Sequence, residues 1–125
     1  MPRRNQPELN FHKTVAQFLD RALPDSCWYT TFPSGGGGKA RGAKLKACGL
    51  KPGVADVLIL FGGGTATDVI WIELKAKAGR LSDSQKEFFA SMSRFGRVYT
   101  YAAKKIEGVQ TILETHGIPL KASVA

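Results

Sequence analysis

Three residues near the middle of the chain, Asp56, Glu73 and Lys75, have the types and spacing of a phosphodiester hydrolysis site. Glu73 and Lys75 stand two positions apart in the segment VIWIELKAK, which has the composition of a β-strand. Side chains alternate between the two faces of a strand, so these two would point the same way. An acid and a base side by side would suit either a solvated strand or an active site.

Asp56 lies near the start of an earlier apolar segment, VADVLILF, and a glycine-rich turn region separates this segment from VIWIELKAK. The pattern predicts a β-hairpin. With a turn centred near Thr65, residues 55–57 would lie opposite residues 73–75. The carboxylate of Asp56 would then lie beside Glu73 and Lys75.

Two carboxylates a few ångströms apart repel each other unless a cation lies between them, and Mg²⁺ prefers oxygen ligands. We therefore expect Asp56, Glu73 and the backbone carbonyl of Leu74 to bind Mg²⁺ or Mn²⁺. The ion would make hydroxide available near neutral pH. Lys75 would orient a water molecule and offset charge on a pentavalent phosphorane. The alternative is that Glu73 and Lys75 form a charge pair on a solvated face. Trp71 lies on the same face and argues against full solvation.

The elements that must position these residues follow from hydrophobic periodicity and capping signals. The order α-β-β-β-α-β-α predicts an α/β fold. We expect helices over 7–23, about 83–95 and about 104–116, and strands over 27–32, 54–61, 69–77 and 97–102. A short helix around 42–48 would fit within the connector between the first two strands.

Length and composition indicate one domain over residues 1–125. No apolar run approaches the ~20 residues needed to span a bilayer, and the N-terminal segment has no apolar core of a secretory signal. With only two cysteines, Cys27 and Cys48, we expect reduced thiols rather than a disulfide framework. These features favour a cytoplasmic protein without a membrane partner.

The net charge of +8 favours a polyanionic partner such as nucleic acid. Residues 33–53 form a basic, glycine-rich connector that contains no acidic residue. Its GGGGKA stretch is not a P-loop, because Ala40 stands where a Ser or Thr is required. We expect the cations of the connector to contact the DNA backbone. They are Lys39, Arg41, Lys44, Lys46 and Lys51. Lys77 is either a further phosphate contact or a solvated charge.

Asp56 followed by Glu73-Leu74-Lys75 on a hairpin flanked by helices resembles the PD-(D/E)XK nuclease superfamily. More narrowly, the chain resembles the VRR-NUC family, the virus-type replication and repair nuclease domain, in two segments that occur in the family's order: GLKPGVADVLIL and VIWIELKAKAGRLSDSQKEFF. The resemblance covers nearly the whole chain. Ala55 replaces the family's usual Pro before the Asp, and PSGG at 33–36 stands where the family often has Pro-Asn-Gly, which leaves the role of Ser34 open.

The resemblance implies a restriction-endonuclease-like core with a mixed central sheet flanked by helices. It places Gln85 near the metal or the attacking water, although with Ser82 the same residue also fits a capping box. It suggests that Glu8 on the first helix faces the site as a further metal ligand, although a first-turn acid is also favoured by the helix dipole. His12 is more commonly a surface or packing residue.

Together these features favour a Mg²⁺- or Mn²⁺-dependent DNA endonuclease. The resemblance further implies a structure-selective enzyme for Holliday junctions or other branched DNA, a homodimer, and a virus-encoded origin. The alternative is a non-catalytic basic module in which the acid–lysine face only positions phosphates. RNA as the substrate ranks below DNA, because no aromatic RNA-recognition motif is visible.

Overall fold

The computed structural model describes residues 6–32, 38–62 and 64–124, with only the backbone of residues 6, 7 and 38–40. Four helices and four strands follow one another in this part of the chain: α1 (Gln6–Ala22), β1 (Cys27–Thr31), α2 (Gly38–Ala47), β2 (Val57–Gly62), β3 (Thr67–Leu74), α3 (Asp83–Met92), β4 (Val98–Ala103) and α4 (Ile106–Thr115). The predicted order is confirmed, with α2 as the short helix within the connector. No helix of the described residues is both long and apolar enough to cross a membrane.

The strands form one mixed sheet in the order β1-β2-β3-β4. Strand β2 is antiparallel to both β1 and β3, whereas β4 pairs with β3 in parallel. The crossover helix α3 provides the long connection that a parallel pair needs. Because β3 and β4 are parallel, their carboxyl ends lie at the same edge of the sheet. Glu73 and Leu74, at the end of β3, pair there with Ala102 and Ala103.

One face of the sheet carries the main core. Period-two alternation turns Ile59, Ile70 and Ile72 to this face, and all three are fully buried. Helices α1 and α4 cover them, because α1 repeats its apolar residues at three- and four-residue spacing. The buried helical residues of this core include Val15, Phe18, Leu19, Val109 and Leu113.

The other face is covered by α3. Trp71 of β3 packs edge-on against Phe88 of α3, with ring centroids 5.0 Å apart, and lies 5.8 Å from the ring of Phe32. Glu73 shares this face with Trp71, since the two are separated by two positions. Only 3% of the Glu73 surface is exposed, so this acid does not lie on a solvated face.

The register of the hairpin and the end of β3 differ from the prediction. Val57 pairs with Ile72 and Gly62 with Thr67, so the register is shifted by one residue from that of a turn centred at Thr65. Extended by one residue, the observed register sets Asp56 opposite Glu73. Strand β3 also ends at Leu74 rather than continuing to residue 77, because Gly79 donates to the carbonyl of Ala76 and closes a turn.

Candidate active site

Asp56 and Glu73 are brought together by the hairpin of β2 and β3. Both are buried, with 8% and 3% of their surfaces exposed. The amide of Leu74 donates a hydrogen bond of 2.7 Å to Oδ2 of Asp56, which fixes this carboxylate against the end of β3. The two acids predicted to form a pair therefore lie at one place, held by backbone pairing rather than by flexible loops.

Burial and mutual repulsion control the charge of this pair. Burial, followed by the charge of Asp56, raises the pKa of Glu73 to about 8, while Lys75 acts in the opposite direction. Burial also raises the pKa of Asp56, and the Leu74 amide and His12 oppose that rise. Without a cation, the pair therefore retains a proton near neutral pH. A cation between the carboxylates would displace that proton.

The ε-ammonium group of Lys75 lies 3.7 Å from Oε2 of Glu73. The Lys75 side chain is only 15% exposed, although it follows the last residue of β3. Its own amide donates to the carbonyl of Ala103, which extends the pairing with β4 by one residue. The predicted acid–base pair is thus formed, and its cation is directed into the site rather than into bulk water.

Gln85 forms the capping box expected from the sequence and also contacts Glu73; its role beside a metal or water stays a prediction. Its Oε1 accepts from the amide of Ser82 while Ser82 Oγ accepts from the amide of Gln85, which completes a capping box at the start of α3. Its Nε2 donates to Oε2 of Glu73 over 2.8 Å. The two contacts coexist because the oxygen and the nitrogen of the amide point to different partners.

Helix α1 brings two further side chains to the site. The amide of Ala76 donates to Oε2 of Glu8 over 3.4 Å, so Glu8 faces the end of β3, as the resemblance suggested. His12, one turn further along α1, places Nε2 3.7 Å from Oδ2 of Asp56. The sequence favoured a packing role for His12. Its spacing of four residues from Glu8, on one face of a helix, was the available signal.

The donor set fits a hard cation such as Mg²⁺. Oε1 of Glu73 is buried and has no hydrogen-bond partner among the described residues, so it is free to bind an ion. Within the same residues, no cluster of three or more His, Cys, Asp or Glu side chains is arranged to hold a metal. The two carboxylates would have to be supplemented by water or backbone oxygen, which Mg²⁺ accepts. The role of the Leu74 carbonyl stays a prediction.

The predicted DNA-binding cations divide into three groups. Arg41, Lys44 and Lys46 are exposed on α2, and Lys51 is exposed in the loop that follows. Lys77 is exposed in the turn after β3, which ends before it, so its side chain does not share the strand face of Glu73 and Lys75. The side chain of Lys39, the residues of the glycine run before Gly38, and Ser34 lie outside the described residues.

A second cluster of titratable groups lies at the other end of β3. His116, at the end of α4, contacts Asp68 through Nδ1 at 3.2 Å and Tyr101 through Nε2 at 2.7 Å. Arg97 pairs with the other oxygen of Asp68 at 2.8 Å. The polar atoms of the His116 ring are thus used within the network, which ties α4 to the sheet. Sequence reasoning did not find this cluster, because its members are far apart in the chain.

The similarity of this chain to known proteins lies in its fold. No protein-family model matches the chain, and no curated protein matches it. A solved structure, described as a VRR_NUC domain protein, matches 87% of this chain and 86% of its own with a TM-score of 0.67. The chain shares the fold of that protein. The two sequences are 21% identical, so the likeness establishes the fold and confirms the restriction-endonuclease-like core expected from the sequence.

Proposed function

We propose that this protein is a metal-dependent nuclease that hydrolyses phosphodiester bonds in DNA. The observation that carries the proposal is the buried pair Asp56 and Glu73, with Lys75 3.7 Å from Glu73. A structural role explains two adjoining buried acids poorly, because their mutual repulsion costs stability. The fold shared with a VRR_NUC domain protein supports the same conclusion.

Asp56 and Glu73 would hold Mg²⁺ or Mn²⁺, with Leu74 and Glu8 as further candidates for oxygen ligands. When bound, the ion supplies a Lewis acid for the phosphodiester and lowers the pKa of water. Gln85 orients Glu73 through its amide nitrogen. Lys75 places a positive charge where negative charge develops on the phosphorane, and the packed side chains around it exclude bulk water.

DNA is the proposed partner because the chain carries a net charge of +8 and exposes its basic residues on α2 and the following loop. One such site cuts one strand. A junction or branched substrate cut on both strands requires two sites, which a homodimer would supply. Large side chains exposed on both edge strands, Trp28 on β1 and Tyr99 on β4, together with Phe95, offer apolar surface for such an interface.

The deciding experiment is the cleavage of labelled Holliday junctions, flaps and plain duplexes with Mg²⁺, with Mn²⁺ and with EDTA. A nuclease of this type cuts at least one substrate with either ion and stops in EDTA. A protein that binds all the substrates equally with and without EDTA, and cuts none, is the non-catalytic module instead. Single-stranded RNA of matched sequence tests the choice of DNA.

A further inference from the structure

A small cavity borders the candidate active site on the side of the basic connector. It has a volume of about 270 Å³ and lies between α2, the loop after it and the first turn of α3. We call it the basic pocket and define it by Gly42, Lys46, Lys51, Gly53, Ser84 and Gln85. Small-molecule pockets begin at ~300 Å³, so this one has room for a group smaller than a typical ligand.

The charge of the basic pocket is one-sided. Among the described residues, the two charged residues that line it are both basic: Lys46 from α2 and Lys51 from the loop that follows α2. The first turn of α3 does not offer the backbone amide of Gln85 to an anion, because that amide already donates to Ser82 Oγ. The two ammonium groups therefore define what the pocket attracts: an anion.

The basic pocket is connected to the carboxylate pair through one side chain. Gln85 lines the pocket and donates from Nε2 to Oε2 of Glu73 at 2.8 Å. The loop that forms its wall is fixed, because Gly53 has φ +76° and a Cβ at this position would collide with the backbone of Ser84. A group held in the pocket is thereby kept at a set position beside Glu73.

We propose that the basic pocket binds a backbone phosphate of the DNA strand being cut, one that flanks the scissile phosphodiester. The proposal rests on the proposed function, which places the scissile group at Asp56 and Glu73. A nucleic-acid strand carries a negative phosphate at every nucleotide, so a strand with one phosphate at the carboxylates has another close by. Lys46 and Lys51 supply positive charge that attracts this flanking phosphate. Holding the phosphate fixes which phosphodiester of the strand lies at Asp56 and Glu73.

The first test measures binding without catalysis. Asp56→Asn protein in EDTA is titrated with a labelled short duplex, and Lys46→Ala/Lys51→Ala is compared in that background with Arg21→Ala/Lys121→Ala. The control removes the same charge at the other end of α1, where the backbone amide of Lys121 donates to the carbonyl of Ala22. We expect about tenfold weaker binding for the pocket variant only. The slope of log affinity against log salt should fall by about 1.

A second pair of variants separates the pocket from general electrostatics. Gly42 lines the pocket and has open space where a Cβ would lie. Gly42→Leu fills the pocket without changing the charge, whereas Gly42→Ala adds one methyl group, and both favour the helix. We expect Gly42→Leu to weaken binding about five- to tenfold and Gly42→Ala to leave it unchanged. Equal affinities of all three proteins would overturn the proposal.

The third test uses cleavage. Substrates with one neutral methylphosphonate at successive positions are cut by wild-type protein and resolved bond by bond. Cleavage should fall at bonds a fixed step from the neutral group, and Lys46→Ala/Lys51→Ala should lose this positional effect. The same positional effect in both proteins would place the phosphate elsewhere. A wild-type protein that cuts nothing refutes the nuclease proposal and leaves the binding results to decide the pocket.

Discussion

The amide of Leu74 donates a 2.7 Å hydrogen bond to Oδ2 of Asp56 across the hairpin. One residue of β3 thus fixes the first carboxylate, while its neighbour Glu73 supplies the second. The relative positions of the two acids are set by the pairing of β2 with β3, in which Val57 lies opposite Ile72. Changes in side-chain charge at Asp56 or Glu73 should therefore alter chemistry while leaving the backbone geometry in place.

The first prediction concerns the carboxylate pair. Asp56→Asn and Glu73→Gln keep the size of each side chain and remove the charge that would hold the ion, so each should reduce cleavage by at least 10²-fold, the scale typical of lost electrostatic stabilisation. DNA affinity in EDTA should be unchanged or slightly higher, because a negative charge is lost. Cleavage rates and fluorescence anisotropy measure the two effects. Near-normal cleavage by a folded variant would show that the carboxylates are not the metal site.

The second prediction concerns pH. The pKa of Glu73 is about 8 in the folded protein and 4.5 ordinarily, so between these values the folded state keeps a proton that the unfolded state loses. Stability without metal should therefore fall as pH rises from about 4.5 to 8, by on the order of 2–4 kcal/mol. Thermal unfolding in EDTA measures this. Glu73→Gln should remove much of the slope, and a slope identical to that of wild type would contradict the assignment.

Divalent ions should change that dependence. An ion bound between the carboxylates stabilises their charged forms, so added Mg²⁺ should raise the unfolding temperature most at pH 8, where the metal-free pair is least stable. An equal shift at pH 5 and pH 8 would mean that the ion binds elsewhere.

The third prediction separates the two contacts of Gln85. Ser82→Ala removes the side-chain acceptor of the capping box and should cost about 1 kcal/mol of stability, with cleavage largely retained. Gln85→Ala loses the cap and also the hydrogen bond to Glu73, so cleavage should fall by about tenfold or more with a similar loss of stability. Parallel measurement of unfolding and cleavage distinguishes the variants. If Ser82→Ala lost as much activity, the Gln85 contact with Glu73 would have no separate role.

The hairpin, the start of α3 and the order of helices and strands along the chain were predictable from the sequence because their signals are local. Short runs rich in apolar and β-branched residues mark β2 and β3, and Ser82 with Gln85 marks the cap. The register was predicted one residue away, because the glycine-rich stretch between the strands fixes no unique turn. Helix α2 was anticipated only over 42–48, since a glycine-rich, basic and exposed segment has little apolar periodicity.

The contacts that join distant segments were not predictable in the same way. His12 meets Asp56, and Asp68 meets His116, only because α1 and α4 pack on a common face of the sheet. A single sequence shows each of these residues without its partner. The sequence suggested both roles of Gln85 but did not show that one side chain makes both contacts, because the direction of its amide depends on how α3 is placed over β3.

The fourth prediction concerns His12. Its Nε2 lies 3.7 Å from Asp56, is buried and has no hydrogen-bond partner among the described residues. His12→Ala should lower the maximal rate of cleavage about tenfold with little change in DNA affinity, because it removes a polar group beside a carboxylate that holds the ion. Gln17→Ala, an exposed change on the same helix, is the control. A weaker affinity with an unchanged maximal rate would make His12 a DNA contact.

The fifth prediction concerns assembly. A homodimer should have roughly twice the 13.5 kDa mass of the chain in light scattering. Mixed dimers of wild type and Asp56→Asn should nick a junction on one strand and fail to resolve it. If the wild-type protein is a monomer and yields only nicks, it is a single-strand or flap nuclease rather than an enzyme that resolves Holliday junctions.

The placement of α1 over the end of β3 also has a consequence for folding. Asp56 and Leu74 are 18 residues apart in the chain, whereas Glu8 and Ala76 are 68 apart. Short loops close at a lower entropic cost, so the hairpin can pair before the N-terminal helix docks. The two acids would then meet early, in a half-built and still hydrated site, where their repulsion is weak. The cost of bringing them together is incurred only when α1 and α3 close over them and remove the water.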